Sequence, residues 1–224
     1  EKMASMGQLS AGIAHELNNP LGVVIMYANI LLEEVPGDSE LHADLKLIVE
    51  QTHRCKKIVG GLLNFARKNQ VTRSEVDPVR LVEQSFDGVI VPREVHVNIQ
   101  QDGLEERKAS LDQEQMTQIF TNLIKNAMEA MESVENKNLF IWARPSSEPG
   151  MVEIEFIDNG VGIPPEEIDK IWVAFYTTKG DRGGTGLGLA ACLEIIKQTG
   201  GKIRVESQMG EGTTFTVSLP AAKA

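Results

Sequence analysis

Asp158-Asn159-Gly160-Val161-Gly162-Ile163-Pro164 follows directly on the strand-like run Val152-Glu153-Ile154-Glu155-Phe156-Ile157. A second cluster, Gly183-Gly184-Thr185-Gly186-Leu187-Gly188-Leu189, opens a helical pattern that continues to Thr199. Glycine tolerates positive φ and lets the backbone approach another group closely. A glycine loop at a helix start also presents free N–H groups and the positive end of the helix dipole, which together suit phosphate. Neither cluster fits the common nucleotide loops. The second lacks the Lys-Ser/Thr ending of G-x-x-x-x-G-K-[ST], and no G-x-G-x-x-G stands where a parallel βαβ unit needs it. For either cluster alone a tight turn is the alternative reading.

Outward from these loops, residues 79–89 carry a helical pattern and 95–99 alternate like a strand. Asp112 caps a helix expected to run to about Val134, with Gln115 at the capping-box position. Residues 139–142 and 152–157 read as strands, 187–199 as a helix ended by Gly200-Gly201, and 202–207 and 213–219 as the last strands. Strands with helices between them predict an α/β sandwich, one sheet under one helical layer.

The front of the chain has a different period. Met6, Leu9, Ile13, Leu17, Leu21, Val24, Ala28, Leu31 and Val35 recur every three or four residues, and so do Leu41, Leu45, Ile48, Thr52, Cys55, Val59, Leu62 and Ala66. Each set is the apolar face of a long helix. Val35-Pro36-Gly37-Asp38 breaks the first, so the two form an antiparallel hairpin. One hairpin cannot bury both stripes, whereas two can as a four-helix bundle, which predicts a homodimer. A monomeric hairpin packed on the rest of the chain is the alternative. Residues 70–77 lose the period before Pro78. The expected fold class is thus α plus α/β. Its divisions are a dimerising hairpin over 1–69, a linker over 70–77, an α/β domain over 78–220 and a tail over 221–224.

Composition narrows the function. The 224 residues hold 22 Lys+Arg against 32 Asp+Glu, a net charge of −10, and 42% hydrophobic residues. That suffices for a packed core and argues against extended binding to a nucleic-acid backbone. No apolar run approaches the ~20 residues of a membrane span, no signal-peptide pattern is visible, and direct membrane insertion of this segment is not expected. Cys55 and Cys192, two lone thiols, suit a reducing compartment, so a cytoplasmic segment is expected. The chain starts mid-pattern, as a piece of a longer one does.

In the helix after Asp112, Asn122 and Asn126 are four apart and share a neighbouring face. Amide oxygens are hard neutral ligands suited to Mg²⁺ that bridges phosphates; a solvated polar face is the alternative. Asn122-Leu123-Ile124-Lys125-Asn126-Ala127, Asp158-Asn159-Gly160-Val161-Gly162, Phe175-Tyr176-Thr177-Thr178-Lys179 and Gly184-Thr185-Gly186-Leu187-Gly188-Leu189 resemble, in order, the N, G1, F and G2 boxes of sensor histidine kinases. Gly212-Thr213-Thr214-Phe215 resembles the end of their ATP-binding domain, which has the Bergerat (GHKL) fold shared with gyrase, heat-shock protein 90 and mismatch-repair ATPases.

The resemblance implies that Asn126 and Asn122 hold Mg²⁺ on the ATP phosphates and that Asp158 accepts from the adenine amine. Gly160 and Gly162 pass close to the base, and Thr213 supports it through water. Gly184, Thr185, Gly186, Leu187 and Gly188 form the lid hinge and the phosphate-facing helix start. Lys179, and as another candidate Lys125, are implied as phosphate contacts. The stretch between Lys179 and Gly183 makes a short lid.

His15 lies in Ala14-His15-Glu16-Leu17-Asn18-Asn19-Pro20-Leu21, two residues from both Ile13 and Leu17 on the apolar stripe. At about 100° per residue it faces away from that stripe. Pro20 removes the bond to the Glu16 carbonyl and is expected to kink the helix. The segment resembles the phosphoacceptor box of the same family. That implies His15 as nucleophile toward the γ-phosphoryl of ATP, Glu16 as its hydrogen-bonding base, and transfer to an aspartate on a response regulator. Asn19, at i+4 from His15, would orient water for dephosphorylating the regulator; local hydrogen bonding at the kink is its alternative. A gyrase-like ATP clamp and a nucleotide-free coiled-coil scaffold are the competing functions.

Overall fold

A computed structural model of the chain describes residues 2–66, 72–104, 108–179 and 184–222, with side chains from residue 16 in the first helix and up to residue 60 in the second. It contains two compact units, Glu1–Asn69 with Phe175–Gly188, and Gln70–Ala174 with Leu189–Ala224.

In the first unit α1 (Lys2–Glu34) and α2 (Glu40–Ala66) form a hairpin. Helix α1 continues unbroken through Pro20. Ser39 caps α2: its hydroxyl donates to Pro36 O at 2.7 Å and accepts from His42 N–H at 3.1 Å. Ala28, Leu45, Thr52 and Val59 are buried, and the Thr52 hydroxyl is satisfied by Ile48 O at 2.6 Å. Leu17, Val24, Leu31, Leu41 and Ile48, from the same expected stripes, are exposed. One partner helix covers only the narrow seam that faces it. Met6, Leu9, Ile13, Leu62 and Ala66 lie outside the described side chains.

The second unit begins with β1 (Ser74–Val76), α3 (Pro78–Ser85), β2 (Val95–Gln101), β3 (Ala109–Leu111) and α4 (Gln113–Ala130). It continues with β4 (Lys137–Pro145), β5 (Met151–Asp158), most of α5 (Gly188–Thr199), β6 (Lys202–Gln208) and β7 (Gly212–Pro220). The main sheet runs β2-β4-β5-β7-β6, with β2 and β4 parallel and the other pairs antiparallel. The parallel pair needs a long crossover, which carries α4. Inward-facing Ile141, Ile154, Phe156 and Val217 meet Leu123 and Ile196 in one core, and the Phe120 and Phe156 rings lie 5.5 Å apart. On the other face Arg144 stacks over Trp142 and bonds Glu155 at 2.8 Å.

Several local expectations change. The helix expected over 79–89 closes at Ser85 and tightens into a 3-10 turn, Phe86–Gly88. It starts with Pro78 at its first position under an Asp77 cap. Helix α4 ends at Ala130 rather than near Val134: Glu132 N bonds Glu129 O and Val134 N bonds Met131 O in tighter turns, while the Ala130 carbonyl accepts from Val161 N instead of from the next turn of helix. Asp112 caps α4 through Gln115 N at 3.1 Å, but the reciprocal half of the capping box is missing: Gln115 Oε1 is buried without a partner among the described residues. The 187–199 helix begins at Gly188 and ends in a Schellman turn, with Gly200 N bonded to Lys197 O and Gly201 N to Ile196 O. Two strands went unpredicted: β1, inside the expected 70–77 linker, pairs antiparallel with β3. At three residues each, they are too short to show an alternation.

Candidate functional site

Helix α4 exposes Lys125 and leaves Asn122 and Asn126 half-buried on the edge of its packed face. Leu123 and Ala127, which are buried, anchor that face. The Asn122 amide Nδ2 donates to Cys192 Sγ on α5 at 3.3 Å. Burial pushes the Cys192 thiol up to about 12, outweighing the amide bond that favours the thiolate. A neutral sulfur therefore receives the amide proton.

The end of α4 meets the turn after β5. Val161 N donates to Ala130 O at 3.0 Å, and a Cβ on Gly160 would fall 2.7 Å from Ala130 Cβ. Gly162, at φ 75°, leaves no room for a Cβ against the backbone of Gln208. The glycines expected to admit a base are thus also required by the chain's own packing. Asn159, which the sequence did not single out, staples the turn: its Oδ1 accepts from Asn138 N at 2.8 Å and its Nδ2 donates to Asn136 O at 2.6 Å.

Asp158 is the last residue of β5 and is buried; its Oδ1 accepts from Gly160 N at 2.9 Å. Thr213, also buried, is its register partner on β7, and Ser207 on β6 is the register partner of Thr213. The three form one row across neighbouring strands. They lie on the same side as Phe156, Phe215 and Val205, which join the core. The sequence does not single out Ser207 as a site residue either. Its signal was a polar residue in phase with inward-facing Ile203 and Val205.

The remaining expected residues fall in the hairpin's unit. Glu16 and Asn19 are exposed on α1; His15 lies in α1, and its side chain is outside the described ones. Half-buried Lys179 is held through its backbone, its N–H on Thr177 Oγ1 at 3.0 Å and its carbonyl accepting from Gly184 N at 3.0 Å. A Cβ on Gly184 would fall 2.6 Å from Thr177 Oγ1. Gly186, at φ 65°, accepts from Phe175 N at 2.9 Å, and Phe175 itself sits at φ 69°. Thr185 Oγ1 accepts from Leu187 N at 3.4 Å, Leu187 is buried, and Gly188 opens α5. Residues 180–183 of the expected lid, Gly183 included, lie outside the described ones.

Residues 111–223 match the model of the histidine kinase-, DNA gyrase B- and HSP90-like ATPases, and the chain belongs to that family of ATP-binding domains. Residues 5–71 match the His Kinase A (phospho-acceptor) domain, and the pair in this order is the core of a sensor histidine kinase. The chain is 34% identical over 224 residues to the sensor histidine kinase ZraS of Escherichia coli K12, covering 98% of this chain and 46% of that protein. It thus spans about half the length of the curated relative. The catalytic domain of histidine kinase ThkA superposes with a TM-score of 0.57 at 30% identity, over 66% of this chain and 95% of that one. A structure of ThkA in complex with response regulator TrrA shares the fold at TM-score 0.67 and 24% identity, over 98% and 63%. Among the described residues no helix is long and apolar enough to cross a membrane.

Proposed function

We propose that this chain is an ATP-dependent protein-histidine autokinase whose phosphoryl group passes to an aspartate of a response regulator in two-component signalling. The observation that carries the reading is the order of the two matched domains, phosphoacceptor before ATPase, over residues 5–71 and 111–223. In this reading residues 1–69 dimerise and carry the phosphoacceptor, 70–77 connect, 78–220 bind ATP, and 221–224 form a tail. The segment works in the cytoplasm, without nucleic acid and without membrane insertion. The ThkA–TrrA complex supports a receiver domain as partner.

Asp158 and Thr213 receive the adenine, with Gly160 and Gly162 beneath it. Lys179, Lys125 and the 184–188 segment attend the phosphates. Mg²⁺ suits the amide pair on α4. Asn122 has turned its Nδ2 to Cys192, which leaves the hard oxygen end for a cation, and Asn126 lies one turn further on. Such an ion, when bound, neutralises the charge of the transferring phosphoryl.

His15 attacks that phosphorus through one ring nitrogen. The N–P bond forms, the bond to the β-phosphate oxygen breaks, and ADP leaves. Glu16 holds the other nitrogen's proton and takes up the charge that develops. Asn19 orients water for the reverse task, dephosphorylating the regulator. A homodimer through the hairpin is supported by the exposed Leu17, Val24, Leu31, Leu41 and Ile48.

The test incubates the chain and His15→Ala with γ-labelled ATP and Mg²⁺. Label that survives base, is lost in acid and is absent from the variant supports the reading. ATP hydrolysis without label sinks it in favour of a clamp-type ATPase, and absence of nucleotide binding in favour of a scaffold.

A further inference from the structure

We propose that Ser207 sets the base preference of the nucleotide site by fixing the direction in which the Thr213 hydroxyl points its proton. The inference rests on the reading of Asp158 and Thr213 as the groups that meet the adenine. Three contacts surround Ser207 Oγ: Gly212 O at 2.8 Å, Ile163 N at 2.8 Å and Thr213 Oγ1 at 2.9 Å. A serine hydroxyl has one proton and two acceptor positions. The Gly212 carbonyl can only accept, so the Ser207 proton goes there. The Ile163 N–H can only donate and fills one acceptor position. The last contact must then be Thr213 donating to Ser207.

Thr213 consequently presents lone pairs alone to anything else that meets it. Asp158, its cross-strand neighbour, is an acceptor too when it is a carboxylate. A base edge set against two acceptors must bring donors. The exocyclic amine of adenine does so, directly or through a water that donates to Thr213. The 6-oxo group of guanine brings another acceptor and leaves buried groups mismatched. The β6–β7 hairpin holds the relay in place, since Gly212 and Thr213 both belong to β7 and Ser207 to β6. Discrimination between purines therefore depends on a residue that touches neither.

The test titrates ATP and GTP, each with Mg²⁺, calorimetrically into the chain and into Ser207→Ala, Ser207→Thr, Thr213→Val and Asp158→Asn. Loss of the Ser207 hydroxyl frees the Thr213 proton to turn toward the base, so the ATP-to-GTP affinity ratio is expected to fall about 3–10-fold. Ser207→Thr keeps a hydroxyl and is expected to keep the ratio. Ser207→Ala is expected to add nothing in a Thr213→Val background. Equal weakening of ATP and GTP by Ser207→Ala, with the ratio unmoved, overturns the proposal and leaves Ser207 a structural brace while the base site stands. A ratio unmoved by Asp158→Asn would instead remove the base-site reading, and this inference with it.

Discussion

Cys55 and Cys192 are alike in sequence but opposite in chemistry, because Cys55 is exposed on α2 and Cys192 is enclosed beside Asn122. Only a thiolate reacts readily with an alkylating reagent. With its thiol pushed up to about 12, Cys192 carries almost no thiolate at pH 8. Mass spectrometry after alkylation is expected to find Cys192 unmodified in the native chain and modified after unfolding. A thiol whose pKa is raised on folding contributes stability to the native state fully below its unfolded pKa. That contribution fades as pH climbs from about 9 toward 12. Gly162 makes a second residue-scale case. At φ 75° and against the Gln208 backbone, Gly162→Ala incurs both backbone strain and a clash. A loss of about 1–3 kcal/mol is expected in denaturant unfolding of the ATPase domain, with ligand absent. A variant as stable as the wild type would mean that this glycine serves the nucleotide alone.

At the scale of elements, α4 is held at both ends by unlike devices. Its N-terminus depends on Asp112, which accepts from Gln115 N at 3.1 Å through one oxygen and from Thr72 N at 2.9 Å through the other. Asp112→Ala removes the cap and strands the two donors. The expected cost is about 1–2 kcal/mol, read as a lowered unfolding midpoint; Asp112→Asn, which keeps a capping oxygen, is expected to recover part of it. The C-terminus is held by the turn after β5, through Val161 N on Ala130 O and the Asn159 side chain on residues 136 and 138. The helix with the amide pair and the strand with Asp158 are thus fixed to each other by backbone geometry. Asn159→Ala is expected to weaken nucleotide binding without removing a proposed ligand group, a point that calorimetry with ATP checks.

For the whole molecule, the hairpin poses the sharpest question of assembly. Within one copy α1 leaves Val24 and Leu31 uncovered while Ala28 between them is buried. In the proposed four-helix bundle a second hairpin would supply the missing cover. Val24→Glu with Leu31→Glu is expected to convert a dimer to a monomer in sedimentation equilibrium at micromolar concentration, with nucleotide binding by the ATPase domain retained. A wild-type chain that sediments as a monomer would remove the bundle from the reading.

Much was determined by the sequence alone. The hairpin was legible because apolar spacing of three and four persists over many turns and Pro36-Gly37 interrupts it once. The long strands were legible by alternation, and four ordered motifs carried the resemblance to histidine kinases. Tertiary structure decided what depends on distant pairing. Strands β1 and β3 form because distant segments offer them a ladder, each other and, for β3, the bridge to Ala221, so neither leaves a local pattern. Gln115 matches a capping box in sequence, yet its oxygen finds no partner among the described residues, because a box closes only when the folded chain turns that side chain back to the cap. Ser207 looked like a strand end. Its place beside Thr213 and Asp158 arises from register across three strands, and register is a property of the folded sheet rather than of any one segment.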